Sequence, residues 1–171
     1  MEKSARFQQL KNECHLKDAD FYFLELIPLI EMIWADNHNQ APELNLLYKF
    51  ATEHIARINT IAESDVITVD QANDFLDRFA HKQPDSNVLA SLRKLVIDGW
   101  KLQESSEHKE LTKQSILDYC LDIAACCVDL YPYEYHHRVT KEEKKLLQQL
   151  MIDFHLDPQT CVHQVAEEQC H

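Results

Sequence analysis

The sequence predicts an all-α protein, a compact bundle of seven to eight helices with no strand and a weak internal pseudo-repeat. Apolar residues recur three and four positions apart in most segments, which is the period of one helix face. Gly99 is the single glycine in 171 residues, so tight hairpins lack the residue that their turns normally use. The same shortage excludes glycine-rich phosphate loops and the Gly-x-Ser-x-Gly elbow of hydrolases.

Eight helical segments are predicted from apolar stripes, capping residues and prolines. In chain order they cover approximately residues 2–14, 18–35, 42–58, 68–79, 85–102, 112–130 and 140–154, with a last one starting at Asp157-Pro158. Thr68 with Gln71, and Thr140 with Glu143, match the capping box. Gly99 lies on the apolar face of the fifth segment, where a glycine costs about 1 kcal/mol. We therefore expect another helix to approach it closely.

The second and sixth segments, residues 18–35 and 112–130, lack a broad polar face. We expect them to be the most buried helices and to lie against each other. Pro28 falls inside the second segment and should kink it. Glu25 and Glu31 are expected to face solvent beside that kink, with a polar pocket between helices as the alternative.

Length, charge and cysteine usage narrow the class of protein. The size and the 45% hydrophobic content fit one domain over residues 1–171. A net charge of −12 disfavours nucleic acid and anionic membranes and favours cations and basic protein partners. The chain has no Cys-x-x-Cys pair, no signal-peptide pattern at Met1 and no uninterrupted membrane-length apolar run. We expect a cytoplasmic protein with reduced thiols and no membrane insertion.

The turn between the second and third segments concentrates metal-binding groups. Asp36 ends an apolar helix, and Glu43 stands in the first turn of the next one. Their carboxylates, with the polar side chains between them, are oxygen donors of the kind that hard divalent cations prefer. The alternative is structural, since Asp and Asn are common turn residues and an acid near a helix N-terminus complements the helix dipole.

The same pattern recurs between the sixth and seventh segments. Asp129 ends an apolar helix, and Glu143 stands in the first turn of the helix that follows. In this repeat Asp129 corresponds to Asp36, and Glu143 corresponds to Glu43. The second loop is longer than the first and contains Tyr131–His137. We predict one divalent-cation site whose two halves are the pairs Asp36 with Glu43 and Asp129 with Glu143.

These junctions resemble the tellurite-resistance TerB-like family. The resemblance rests on Ala35-Asp36 before a helix that opens Pro42-Glu43, and on the segments at 140–143, 146–147 and 154–158. It covers mainly residues 20–60 and 112–165. It implies a non-enzymatic helical module that binds divalent metal or a partner protein in stress-response assemblies. The family favours Gly directly after the first Asp; here Asn37 must adopt the left-handed turn, which Asn tolerates.

Two further clusters are weaker candidates. Glu134 and His137 have the Glu-x-x-His spacing of metal sites on helices, but Pro132 opposes a helix there. The carboxyl-terminal residues include potential zinc ligands whose spacing matches no usual finger, namely Cys161, His163, Cys170 and His171. Two other functions therefore stay open. One is a metal-dependent helical enzyme of the ferritin-like or haem-oxygenase-like kind, and the other is a ligand-free structural interaction domain.

Overall fold

A computed structural model describes residues 2–102, 107–126 and 139–155. Over these residues the chain forms seven α-helices and one 3₁₀ helix, with no strand among them. The α-helices are α1 (Glu2–Glu13), α2 (Ile27–Trp34), α3 (Ala41–Ala62), α4 (Val69–Phe79), α5 (Ser86–Leu102), α6 (Glu107–Cys126) and α7 (Lys141–Asp153), and the 3₁₀ helix is Asp18–Leu26. The predicted all-α bundle is confirmed. The segments predicted from Asp157 onward and at 131–137, together with the carboxyl-terminal Cys and His residues, lie outside the described residues.

Helix α2 lies at the centre of the bundle. It packs most extensively against α6 and also contacts α3, α5, α7 and the 3₁₀ helix. Every residue from Ile27 to Ile33 is buried, because this helix is apolar on nearly all sides. Ile116, Cys120 and Ile123 of α6 are fully buried in the same core. The predicted contact between the two central helices is confirmed. Within the described residues, no helix combines the length and apolar character needed to cross a membrane.

The expected kink at Pro28 is wrong. The predicted second helix is two elements, a 3₁₀ helix that ends at Leu26 and an α-helix that starts at Ile27. Pro28 therefore stands in the first turn of α2, where a missing backbone N–H leaves no helical hydrogen bond unmade. Proline begins this helix rather than bending it.

The expectation that Glu31 faces solvent is also wrong. Glu31 is only 9% exposed, and Nη1 of Arg93 on α5 donates to its two carboxylate oxygens at 2.8 and 2.9 Å. Nε of Arg93 also lies 3.2 Å from a carboxylate oxygen of Asp153 on α7. Glu25 remains partly exposed and pairs with Arg57 at 2.8 Å. A buried carboxylate needs a counter-charge, and α5 supplies it.

The close helix approach expected at Gly99 does not occur. Gly99 is exposed on α5, and a Cβ built at this position would meet nothing within 4 Å. Its backbone has no positive φ angle. Neither packing nor backbone geometry therefore requires glycine here.

Candidate functional site

The first junction is the turn between α2 and α3. Asn37 has a φ angle of 64°, so it occupies the left-handed region that the sequence required of it. The side chain of Asp36 accepts a hydrogen bond from the backbone N–H of His38 at 3.0 Å. Asp36 is only partly buried, and this turn contact engages one of its two carboxylate oxygens. The side chain thus has a structural role that still allows a second interaction.

Glu43 lies at the third position of α3, directly after Ala41 and Pro42. Its side chain is fully buried, and its Oε2 accepts a hydrogen bond from the backbone N–H of Gln40 at 2.8 Å. This contact satisfies a backbone donor that has no partner within the helix. Glu43 therefore closes the helix start as the acid of a capping box.

Glu143 holds the same position in α7. The backbone N–H of Thr140 donates to its Oε2 at 2.6 Å, and the hydroxyl of Thr140 accepts from its backbone N–H at 3.2 Å. Glu143 is fully buried, like Glu43. The two glutamates that the sequence paired with each other thus play the same part in two helix starts. Asp129 lies outside the described residues.

The two junctions are neighbours in the bundle. Helix α2 contacts α7, and Ala35 and Asn37 line the same cleft as Glu142. Burial raises the pKa of Glu143, the hydrogen bonds from Thr140 oppose this, and the charges of Asp36 and Glu142 raise it further. Asp36 and Glu143 lie 107 positions apart in the sequence, since 143 − 36 = 107. The fold therefore places one acid from each half of the predicted site near enough for their charges to interact.

The carboxylate oxygen Oε1 of Glu143 is a buried polar atom without a partner among the described residues. It is buried and has no hydrogen-bond partner in the described part of the protein. A buried carboxylate oxygen without a donor is unfavourable, and a second carboxylate nearby increases the penalty. A proton or a cation relieves both effects. Calcium and manganese accept carboxylate, backbone carbonyl and water oxygens together.

The described residues supply only part of a full coordination sphere. No group of three or more His, Cys, Asp or Glu side chains in residues 2–102, 107–126 and 139–155 is arranged to hold a metal ion. The charges of Asp36 and Glu143 interact across the two halves, while Oε2 of Glu43 accepts a hydrogen bond within its own capping box. Carbonyl oxygens and water would complete the coordination around the two carboxylates.

Two residues at this end of the bundle were missed in the sequence. Arg93 lies four residues after Leu89 and three before Val96, so helical spacing puts this cation on an apolar face. A cation on an apolar helix face needs a buried acid as its partner, so this spacing could have predicted the ion pair of Arg93 with Glu31. The sequence places Trp34 at the end of an apolar run and predicts nothing more about it. That Trp34 lines a cleft depends on the packing of several helices.

The fold and its junctions define an all-helical bundle in which the charge of Asp36, in the turn after α2, acts on Glu143 at the start of α7. No protein-family model, curated protein or solved structure matches the chain.

Proposed function

We propose that this chain is a non-enzymatic, TerB-like module that binds a divalent cation between Asp36 and Glu143 and also binds a partner protein, as part of a stress-response assembly. The observation that supports the cation is Oε1 of Glu143, which is buried without a hydrogen bond in a carboxyl group whose pKa is also raised by the charge of Asp36. Two like charges held together by a fold repel each other, and a bound cation converts that repulsion into attraction.

The proposed cation joins two parts of the chain. Asp36 belongs to the turn that follows α2, and Glu143 belongs to the start of α7. A cation held by both would tie α7 to the central helix. The sequence prediction pairs Asp36 with Glu43 and Asp129 with Glu143, so Glu43 and Asp129 are the two further candidate ligands of this site. Oxygen ligands of this kind favour calcium, magnesium or manganese over soft metals.

The alternative of a metal-dependent helical enzyme receives less support from the histidines. His54 is the buried histidine of the described residues, and both its ring nitrogens are engaged. Nε2 contacts the backbone carbonyl of Tyr22, and Nδ1 lies 2.8 Å from Nη2 of Arg57. A ring held by two protein contacts is placed to stabilise the packing of α3 on the 3₁₀ helix rather than to ligate iron.

A thermal melt with and without calcium, magnesium, manganese or zinc tests the cation. An ion at a hundredfold excess over its dissociation constant stabilises the native state by about 2.7 kcal/mol. We expect at least one ion to raise the Tm of the parent, and Asp36→Asn and Glu143→Gln to abolish that rise. Gln still closes a capping box at this position, so the second variant removes charge while keeping the cap.

The matched control is Asp65→Asn, which removes an exposed carboxylate from the α3–α4 loop. It should keep the full rise in Tm. An unshifted parent would contradict the proposal. So would a full shift in both Asp36→Asn and Glu143→Gln, which would place the ion elsewhere.

A further inference from the structure

Exposed apolar side chains are concentrated where α3 ends and α4 begins. Six large apolar side chains are exposed in the described residues, and half of them lie within residues 61–70, here called the α3–α4 corner. They are Ile61, Val66 and Val69, which are 64%, 37% and 61% exposed. Isolated exposed apolar residues are common, whereas a group of them rimmed by polar residues is typical of a protein-binding surface.

Asn59 fixes the shape of the α3–α4 corner. Its Oδ1 accepts hydrogen bonds from the backbone N–H groups of Val66 at 2.9 Å and Ile67 at 3.1 Å, and its Nδ2 donates to the carbonyl of Ile67 at 2.9 Å. Ile67 is only 1% exposed, so it anchors the loop in the core. The end of α3 and the start of α4 are thereby held together, which places Ile61, Val66 and Val69 at one corner of the bundle. An ordered surface loses little conformational entropy when a partner binds.

The charged side chains of the α3–α4 corner are all negative. Glu63, Asp65 and Asp70 are exposed, and none of them forms an ion pair with another described residue. No Lys, Arg or His occurs in residues 58–77. The apolar group is therefore bordered by acids and by no cation of its own segment.

Cations of the neighbouring elements are paired with other acids. Arg57 of α3 lies 2.8 Å from a carboxylate oxygen of Glu25. Arg78 at the end of α4 and Lys17 each lie 2.8 Å from a carboxylate oxygen of Asp74. These cations leave the acids of the α3–α4 corner without a counter-charge, so this surface favours a positively charged partner.

We propose that the α3–α4 corner binds a basic, amphipathic segment of a partner protein. An apolar side chain of that segment covers Ile61 and Val69. Its Lys or Arg side chains lie beside Glu63, Asp65 and Asp70. The inference rests on the partner-binding part of the proposed function and names the surface and the chemistry of the partner. The overall charge of −12 adds long-range attraction for such a segment and opposes self-association.

The test begins with selection of short random peptides on the full chain, in buffer that contains EDTA. We expect the selected peptides to share Lys or Arg next to a large apolar residue. Because the chelator removes divalent cations, this result does not depend on the cation site. The thermal melts and the selection therefore distinguish an absent cation site from an absent peptide site.

Affinity for one selected peptide is then measured by titration calorimetry. Ile61→Ser should weaken binding by about five- to tenfold, which is the size expected for the loss of one apolar contact. The matched control is Ile152→Ser on α7, because Ile152 is 66% exposed and thus as accessible as Ile61. It should leave the affinity unchanged. Both side chains lie on the surface, so the fold should tolerate both substitutions.

Charge variants of the α3–α4 corner test the basic character of the partner. Asp70→Asn should weaken binding by about two- to fivefold at low salt, and added salt should reduce that difference. The matched control is Glu142→Gln, since Glu142 is also an exposed acid in the first turn of a helix. Glu142 lies beside the turn before α3, and the 22 residues of α3 span about 33 Å between that turn and the α3–α4 corner. The control should keep the parent affinity.

Three results would overturn the inference. The first is a selection that enriches acidic peptides or none, and enrichment of none would also contradict partner binding. The second is an affinity that Ile61→Ser leaves unchanged or lowers no more than Ile152→Ser does. That outcome would place the peptide elsewhere while partner binding stands. The third is an equal effect of Asp70→Asn and Glu142→Gln, which would show only non-specific attraction to net charge.

Discussion

The buried Glu31 makes the stability of this protein depend on pH. Its ordinary pKa is 4.5, and burial, with a smaller contribution from Asp153, raises the pKa to about 7 against the opposing effect of Arg93. The folded state therefore binds a proton that the unfolded state releases between these values. Glu31 contributes stability that is fully present below pH 4.5 and is lost as the pH rises through about 7. Across that interval the free energy of unfolding falls by roughly 3 kcal/mol.

Glu31→Gln removes this titration while keeping an oxygen that accepts a hydrogen bond from Arg93. Urea unfolding of parent and variant between pH 4.5 and 8 measures the difference. Burial lowers the pKa of His54, so its contribution changes with pH in the opposite direction. That contribution is common to both proteins and cancels in the comparison.

We expect the parent to lose roughly 3 kcal/mol relative to Glu31→Gln as the pH rises over this range. Parallel curves would refute the reasoning, because Glu31 would then titrate alike in folded and unfolded chains. A parent that gains stability relative to the variant would show that Arg93 outweighs burial and keeps Glu31 ionised.

Three further predictions concern single positions. Gly99→Ala should raise the free energy of unfolding by about 0.5–1 kcal/mol, because a methyl group there meets no neighbour; a lower value in urea melts would contradict this. Leu29→Ala should lower it by about 2–5 kcal/mol since Leu29 is fully buried, and a loss below ~1 kcal/mol would refute its core position. Thr140→Ala should lower it by about 1 kcal/mol, with exposed Thr52→Ala as control.

Local chemistry made several features predictable from the sequence. The Thr140–Glu143 capping box depends on residues within one helical turn, and the left-handed Asn37 depends on the tolerance of its own backbone. The contact between α2 and α6 followed from two segments without a polar face, since each must be covered on all sides.

The errors arose where a distant residue or a neighbouring element decides the outcome. Pro28 fits both a kinked helix and a helix start, and the choice depends on the 3₁₀ conformation of the residues before it. Glu31 finds its partner Arg93 62 positions further along the chain. The environment of Gly99 depends on which helices approach α5. Helical periodicity contains none of this information.

The candidate site was predictable only in part, because it combines local helix starts with a tertiary contact. Sequence spacing identified Asp36, Glu43 and Glu143 as acids at helix junctions, and the structure confirms that both glutamates stand in first turns. The interaction between the charges of Asp36 and Glu143 requires α2 to lie beside α7, which is a tertiary contact. Metal binding itself stays a prediction.

The most direct test of the cation site is a titration with Mn²⁺ followed by NMR of the backbone amides. Mn²⁺ broadens signals of nuclei near the site at which it binds. If the ion lies between Asp36 and Glu143, signals from the α2–α3 turn and the start of α7 should broaden first, at substoichiometric metal. Glu143→Gln should remove that selectivity, while Asp65→Asn should retain it. Uniform broadening at all exposed acids, or first broadening elsewhere in the chain, would contradict the account.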